Sequence, residues 1–592
     1  MPIPITTFII TGKEEGEDDE EEDNDSHNLE FEERRRRAES QRIRSPFKHP
    51  WWTAFSDSGP QPRCLDEWLT VEISNSIRKK PDWKIKYKND EIVVKWKQGI
   101  KQQYQDKSKT RYLDQIIDYV FKELQWYEDV EKDLNTFQIG CDYRIVFSDG
   151  AINESLKKSF INGVQKLMES FGNDFDYYHL GSNNQVIDLV HPSLYIVQYD
   201  KTPVLKNGQL EIIKYGEEIE YAKAGVDPSG VSKKFQWIPA LMTKNSNGKF
   251  EFGSYINNLH PIKYKDLYDS IGDIFNAAIP GLNCVLTRYA SQEFIRIPIP
   301  GGSDAYTDEY DKDREELDAE LEREAEETGH DYDWEKMEAF EKDKSKYLRE
   351  FIPKWEQAPV FDKPIDLATM FDNLKVIVKL ANIELTPENP VYAGGSWHVE
   401  GAINEDIVAT VLYYYDVENI TESRLSFRTG FDDPCYERDD RFYIETIFGF
   451  HGDDLMVREI GGIEVEKNRI IVFPNMFQHY VDPFELKDKT KPGHRKILCF
   501  FIVDPYNHNV ITTDKVPPQQ KEWWDDSSLD YLFPGNLKQQ ILDLKGDNSS
   551  SWPMTLAQAK EARVALMEER FARGEGDDFE SGFSRYFALN ET

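Results

Sequence analysis

Gly394-Gly395-Ser396-Trp397-His398-Val399-Glu400-Gly401 places an imidazole and a carboxylate one residue apart, between glycines. In an extended strand successive side chains alternate faces, so His398 and Glu400 share one face and Trp397 and Val399 take the other. His479 follows 81 residues on, in Phe477-Gln478-His479-Tyr480-Val481, and Arg495 lies 16 further. Two imidazoles and a carboxylate form the ligand set of a mononuclear non-heme Fe(II) centre, with positions left open for a cosubstrate and O₂. Ligands so far apart in sequence need a fold that brings non-adjacent strands together.

The surrounding pattern supplies such strands. Between Leu374 and Pro505, short apolar or alternating runs alternate with turn signals. They are Val376–Leu380, Gly395–Glu400, Ile407–Tyr415, Arg424–Phe427, Phe442–Phe450, Leu455–Glu459, Ile470–Phe473, Phe477–Val481 and Ile497–Val503, with a turn at Lys467-Asn468-Arg469. Many short strands of this kind predict a sandwich or jelly roll. On the last run Arg495, Ile497, Cys499, Phe501 and Val503 share a face, and Leu498, Phe500 and Ile502 make the other face apolar too. That strand is expected to be central. A guanidinium at its mouth needs an anion, because an unpaired buried charge is costly. Its planar fork suits a carboxylate, and the distal carboxylate of 2-oxoglutarate is the natural candidate.

Other roles for the same residues stay open on spacing alone. His398 fits a satisfied core histidine, Glu400 a turn cap before Gly401, and Arg495 an ion pair with Asp482 or Glu485. His191 and His260, each before a proline, read as structural residues at strand-to-loop junctions. Arg428 reads as a salt-bridge partner, with contact to an anionic substrate as the alternative.

Outward from this core, residues 1–48 read as a disordered tail, an acidic block followed by Arg34-Arg35-Arg36-Arg37. Residues 49–175 are expected to be mainly helical, with Leu113, Ile116, Ile117, Val120 and Leu124 at helix spacing. Residues 176–303 read as an α/β region on the core, including a hairpin around Asn245-Ser246-Asn247-Gly248 and a helix near 264–278 that ends at Pro280-Gly281. Residues 304–350 carry 20 acidic against 8 basic residues and read as an acidic helical insertion. Residues 351–515 hold the core and 516–592 a C-terminal helical buttress.

Composition bounds the function. The chain has 592 residues, 39% hydrophobic and 13% aromatic, with a net charge of −37. That acidity argues against nucleic acid as a partner, which calls for a basic stripe. Five scattered cysteines and no C-x-x-C pair argue against disulfides or structural zinc. The acidic N-terminus does not read as a signal peptide, and the apolar run Ile497–Val503 is too short to span a bilayer. A cytoplasmic or nuclear location without a membrane partner is expected; oligomeric state and substrate are not legible.

The chain also resembles a known family. Tyr392 to Gly401, Phe473-Pro474-Asn475-Met476-Phe477-Gln478-His479 and Pro492-Gly493-His494-Arg495-Lys496 look like a mostly fungal family, domain of unknown function 4246. Leu189-Val190-His191-Pro192-Ser193-Leu194-Tyr195, Ser254 to Pro261 and Val516-Pro517-Pro518-Gln519 agree with it, so the resemblance covers roughly residues 60–575. Separately, the His-x-Glu … His … Arg set resembles the 2-oxoglutarate/Fe(II)-dependent oxygenase superfamily. That resemblance implies a double-stranded β-helix (jelly roll) as the core, so the expected fold class is α+β, with the N- and C-terminal helices and the acidic helical insertion read above flanking that core. It implies His398, Glu400 and His479 as Fe(II) ligands and Arg495 as the anchor of 2-oxoglutarate. Many members place a hydroxyl two positions after the basic residue; here that position is Ile497, so Tyr392, Ser396 or Tyr415 is expected to take its place. The alternatives are an inert jelly-roll scaffold or binding protein, and a cupin-like metalloenzyme that does not use 2-oxoglutarate.

Overall fold

The computed structural model describes residues 45–51, 59–104, 110, 112–171, 177–215, 230–356, 358–437, 440–525, 529, 540, 552–575 and 586–587. The tail expected over 1–48 therefore lies outside the described residues up to 44. The helices are α1 (Leu65–Arg78), α2 (Asp90–Tyr104), α3 (Leu113–Asp133), α4 (Glu154–Glu169), α5 (Lys265–Ala290), α6 (Asp308–Thr328), α7 (Trp334–Lys342) and α8 (Leu556–Glu575). The principal strands are β1 (Gln138–Ile139), β2 (Val146–Ser148), β3 (Val186–Val190), β4 (Ala240–Lys244), β5 (Phe250–Phe252), β6 (Asn373–Leu385), β7 (Ile407–Glu418), β8 (Arg424–Gly430), β9 (Val457–Glu464), β10 (Arg469–Pro474), β11 (Gln478–Val481) and β12 (Gly493–Val503).

Residues from Leu498 to Val503 are apolar without a break, which suits a strand paired on both edges and covered on both faces. β12 meets that description. It lies between β6 and β7 in a nine-stranded sheet ordered β1-β2-β10-β7-β12-β6-β4-β5, with β3 on the far edge of β6. Its last six side chains are at most 2% exposed. The register sets Arg495, Ile497, Cys499 and Phe501 opposite Ile383, Ala381, Lys379 and Ile377, so these eight share one face.

The other face of the large sheet is covered by helices. Phe275 of α5 packs edge-on against Phe500 at 5.4 Å, and Phe160 of α4 against Tyr415 at 5.0 Å. Such aromatic pairs add about 0.5–1.5 kcal/mol beyond the area they bury. The Arg495 face is covered by a second antiparallel sheet ordered β9-β8-β11. Phe427 of β8 and His479 of β11 both meet Phe473 of the large sheet at 5.0 Å. The protein is thus a layered α+β structure: helices, a large antiparallel sheet and a small antiparallel sheet. The described residues from Ser45 onward belong to one compact unit. Among them, no helix is long and apolar enough to cross a membrane.

Three sequence expectations are corrected. The helix over 264–278 does not stop at Pro280, because α5 runs through it to Ala290. An internal proline costs about 3 kcal/mol, but Leu282, Val285 and Leu286 beyond it are fully buried, and burial of each contributes roughly 1.5–3 kcal/mol. The run Phe442–Phe450 is not a strand but a helical turn, Arg441–Tyr443 and Ile444–Phe448. The Asp440 side chain caps it by accepting the Tyr443 N–H at 3.0 Å, and Gly449 closes it with φ +74°. Finally, Gly395–Glu400 is not a ladder strand. Only Val391–Tyr392 pairs regularly, with Phe484–Glu485. In the large acidic segment α6 and α7 are helical as expected, with Leu321 buried on the inner side.

Candidate metal centre

The irregular segment after Tyr392 is nonetheless pinned at its two chemically important residues. His398 and His479 exchange backbone hydrogen bonds of 3.2 and 2.9 Å, an isolated antiparallel bridge on the free edge of β11. Directly opposed residues in such a bridge project to one face, and the two imidazole centroids are 4.3 Å apart. Glu400 is held by Asn475, whose side chain accepts the Glu400 N–H at 2.9 Å and donates to the Glu400 and Ile407 carbonyls at 2.9 and 3.0 Å. Gly394, with φ +98°, lets the chain enter this loop, and a Cβ there would stand 3.0 Å from the Val481 carbonyl oxygen.

His398, Glu400 and His479 therefore converge. The His479 and His398 Nε2 atoms are 3.3 and 3.8 Å from the same Glu400 carboxylate oxygen. Ligands at right angles around an ion about 2.1 Å away stand about 3 Å from each other, so little adjustment would be needed to hold one. The His398 Nδ1 is 2.8 Å from the Ser396 carbonyl, which must be an N–H donated to oxygen and leaves Nε2 as the lone-pair atom. His479 is buried, and its Nδ1 has no hydrogen-bond partner among the described residues.

The electrostatics suit a cation. Burial would raise the Glu400 carboxyl, but the His398 and His479 rings beside it hold it well below the usual carboxylate range. Burial, together with the nearby His398, pushes His479 down to about 4, so its ring is neutral at pH 7. His398 is 46% exposed; desolvation of its inner side opposes charge, yet the Glu400 carboxylate beside it lifts it above its ordinary value. A second cluster, His179, Asp188 and His191, has similar spacing. There the Arg563 guanidinium already donates to Asp188 at 2.6 Å and approaches His179 Nδ1 at 2.8 Å, filling the position a metal cation would need.

Arg495 lies on the face of the large sheet that turns toward the small sheet. It is 1% exposed, and it makes no ion pair with a carboxylate among the described residues. Asp482 is engaged by Ser426 at 2.7 Å and Glu485 by Lys489 at 2.9 Å, so neither expected partner is used. Arg495 instead donates to the Ser423 hydroxyl at 2.8 Å and the Tyr414 hydroxyl at 3.3 Å, and its Nε has no partner. Its guanidinium carbon is 4.9 Å from the Tyr414 ring and 5.8 Å from the Phe484 ring. The Cys499 thiol, on the same face of β12 as Arg495, is pushed up to about 12 by burial.

Sequence reasoning missed Ser423, Tyr414 and Asn475. The expected hydroxyls are elsewhere: Tyr415 donates to Asn382 at 2.6 Å on the helix-covered face, Ser396 is exposed, and Tyr392 stacks on Phe484 at 5.1 Å. A β-bulge between Tyr414 and Asp416 shifts the register that would otherwise have indicated Tyr414. Asn475 had a signal in Phe473-Pro474-Asn475, but nothing in the pattern tied it to Glu400. Arg428 is not in a salt bridge among the described residues. It hydrogen-bonds Gln478 at 2.5 Å and lies over Trp397 at 4.8 Å, on the face of β8 and β11 opposite to Phe427 and His479. His191 and His260 each accept backbone N–H groups at Nδ1, from Ser193 at 3.1 Å and from Lys263 at 3.1 Å.

Comparison with known proteins places the chain in a family. It matches the model described as "Protein of unknown function (DUF4246)" over residues 114–527 and "Domain of unknown function DUF4246, N-terminal" over 26–99. The protein belongs to the DUF4246 family. No curated protein matches it significantly. Among solved structures it is similar to IDO from Bacillus thuringiensis (13% identity, TM-score 0.15, 22% of this chain and 46% of that one). It is also similar to the Fe(II)/(alpha)ketoglutarate-dependent dioxygenase TqaL (14%, TM-score 0.14, 25% and 47%). The matches span less than half of either structure's chain, and TM-scores this low do not bear on the fold.

Proposed function

We propose that this protein is an Fe(II)- and 2-oxoglutarate-dependent oxygenase of the hydroxylase type, built on a double-stranded β-helix. Strand order supports the fold: β6, β12, β7 and β10 form one sheet, and the His398 bridge, β11, β8 and β9 the other. The observation that carries the chemistry is Arg495. A guanidinium buried to 1%, with two hydroxyl partners and no ion pair to a carboxylate among the described residues, suits an anionic ligand, and it lies between the same two sheets as His479. Burying a cation costs several kcal/mol unless it is paired.

In this reading Fe(II), held by His398, Glu400 and His479, supplies O₂ activation and C–H oxidation coupled to conversion of 2-oxoglutarate into succinate and CO₂. Arg495 binds the distal carboxylate as a bidentate fork, with Ser423 and Tyr414 orienting the fork. Ser396 fixes the His398 tautomer, and Asn475 fixes the carboxylate's backbone. Phe473, backed by Phe427, packs on the His479 ring and keeps water from that side of the site, strengthening the polar contacts there.

Anaerobic addition of Fe(II) and 2-oxoglutarate to the folded protein is expected to produce a visible charge-transfer band. His398→Ala and His479→Ala are expected to abolish metal uptake and the band. Folded wild-type protein that takes up Fe(II) without any response to 2-oxoglutarate would support a scaffold role instead, and one that takes up no metal would refute the proposal.

A further inference from the structure

β6 carries an anomaly inside its apolar run. From Val376 to Ala381 every side chain is apolar and buried except Lys379, which is half-buried. Lys379 stands opposite Cys499 in the β6–β12 register, and Arg495 stands opposite Ile383. Directly opposed residues share a face, so Lys379 projects into the same interior as Arg495. The two are four strand positions apart, about 13 Å along the sheet. Lys379 makes no hydrogen bond and no ion pair among the described residues. An isoleucine or valine would pack this position at no electrostatic cost. A half-buried ammonium without a counter-charge gives up that packing.

The surroundings locate the charge. On one edge of β6 Lys379 faces Cys499 of β12, and on the other edge Val190 of β3 stands opposite Leu380, so the chain enters His191 beside Lys379. It therefore lies in the interior between the two sheets that Arg495 also borders, four strand positions away from Arg495 and beside the strand that leads into His191. The neighbouring cations are otherwise engaged: Arg563 is committed to Asp188, and in the oxygenase reading Arg495 takes the cosubstrate carboxylate.

We propose that Lys379 is the binding residue for a carboxylate on the oxidised substrate, so that the substrate class is an organic acid. This rests on the oxygenase reading above. A single free ammonium offsets one negative charge. A phosphate dianion would leave a second charge facing Asp188, which borders the site opposite Ala381 on β3. The ammonium is a compact three-donor head on a flexible stem, able to meet a carboxylate without the fixed fork that Arg495 offers the cosubstrate.

The test uses hexanoate as the probe, on full-length protein saturated with Fe(II) and 2-oxoglutarate without O₂, so that the cosubstrate site is already filled. Calorimetric titration is expected to show hexanoate binding to the wild type and to Lys379→Arg. Lys379→Met is expected to weaken it at least about tenfold, the loss of one charge-assisted contact, while the 2-oxoglutarate band is unchanged. On wild-type protein alone, hexanoate is expected to slow acetylation of Lys379 by acetic anhydride, read by peptide mass, so a poorly folding variant does not remove the test. Equal hexanoate affinity in wild type and Lys379→Met would overturn the proposal, as would a loss of 2-oxoglutarate affinity in that variant or an absence of protection. If the wild type shows no band, the oxygenase reading fails. Hexanoate titrated into the metal-free protein then still decides whether Lys379 is a carboxylate site.

Discussion

Arg495→Met separates an anion site from an ordinary structural arginine. A structural arginine paired with a carboxylate costs about 3–5 kcal/mol to remove, because a buried charge is left behind. Arg495 has no such partner, so its removal strands only the acceptors of Ser423 and Tyr414. Methionine restores an unbranched apolar stem and relieves a desolvated charge. The net effect on the stability of the ligand-free protein is expected to lie within about 1 kcal/mol of zero. Cosubstrate binding behaves oppositely. Losing a buried charged partner weakens association by about 2–5 kcal/mol; at 3 kcal/mol, the Kd for 2-oxoglutarate rises about 150-fold. Ser423→Ala removes one neutral hydrogen bond to the fork, about 1 kcal/mol, or roughly fivefold. The assay is anaerobic titration of the charge-transfer band in the Fe(II) protein, with urea unfolding of the metal-free form alongside. At 2-oxoglutarate concentrations about 100 times Kd, the wild type gains about 2.7 kcal/mol of stability that the variant does not. An unchanged Kd in Arg495→Met, or destabilisation of the ligand-free variant by several kcal/mol, refutes the reasoning.

Asn475→Ala breaks three hydrogen bonds around Glu400 and Ile407; metal affinity is expected to fall about 10–100-fold, as for other outer-shell partners, measured by competition with a chromophoric chelator. Gly394→Ala imposes a side chain at φ +98° beside the Val481 carbonyl; a loss of about 1–2 kcal/mol is expected, with faster amide exchange over residues 393–398, and unaltered exchange would count against the glycine's role. Arg563→Met tests the pH response of Asp188. Burial would raise that carboxyl, but His191, His179 and Arg563 hold it well below its ordinary value; since burial keeps His191 neutral, Arg563 is the permanent charge. A depressed carboxylate contributes stability above its unfolded value of about 3.9, which is lost as pH falls toward the folded value. The wild type is thus expected to lose urea resistance below about pH 4, and Arg563→Met to be weaker at pH 7 by about 3–5 kcal/mol with that acid slope flattened; parallel pH profiles would contradict it.

The convergence of His398, Glu400 and His479 was legible because it depends on chain phase and composition, which survive even where the ladder does not. His398 and Glu400 converge although their segment is irregular, since one bridge to His479 and one clamp by Asn475 replace a strand's worth of hydrogen bonds. The centrality of β12 followed from its two apolar faces. The misread elements share a cause in tertiary context. Phe442–Phe450 has the aromatics of a strand, but a local cap at Asp440 and a left-handed Gly449 favour a turn of helix. Pro280 breaks an isolated helix, but not one whose next two turns are buried. Ser423 and Tyr414 could not be found because they reach Arg495 across 72 and 81 residues of chain, through a register that a bulge displaces.

The position of β12 also orders events during synthesis. Its two partners, β6 and β7, are complete once residue 418 has been made, yet neither can close against the other until residues 493–503 emerge. For that interval two long apolar strands have unsatisfied edges, the condition that invites pairing with other chains. A chain truncated just before Gly493 is therefore expected to aggregate rather than to give a smaller folded product, as sedimentation of the truncated protein would show.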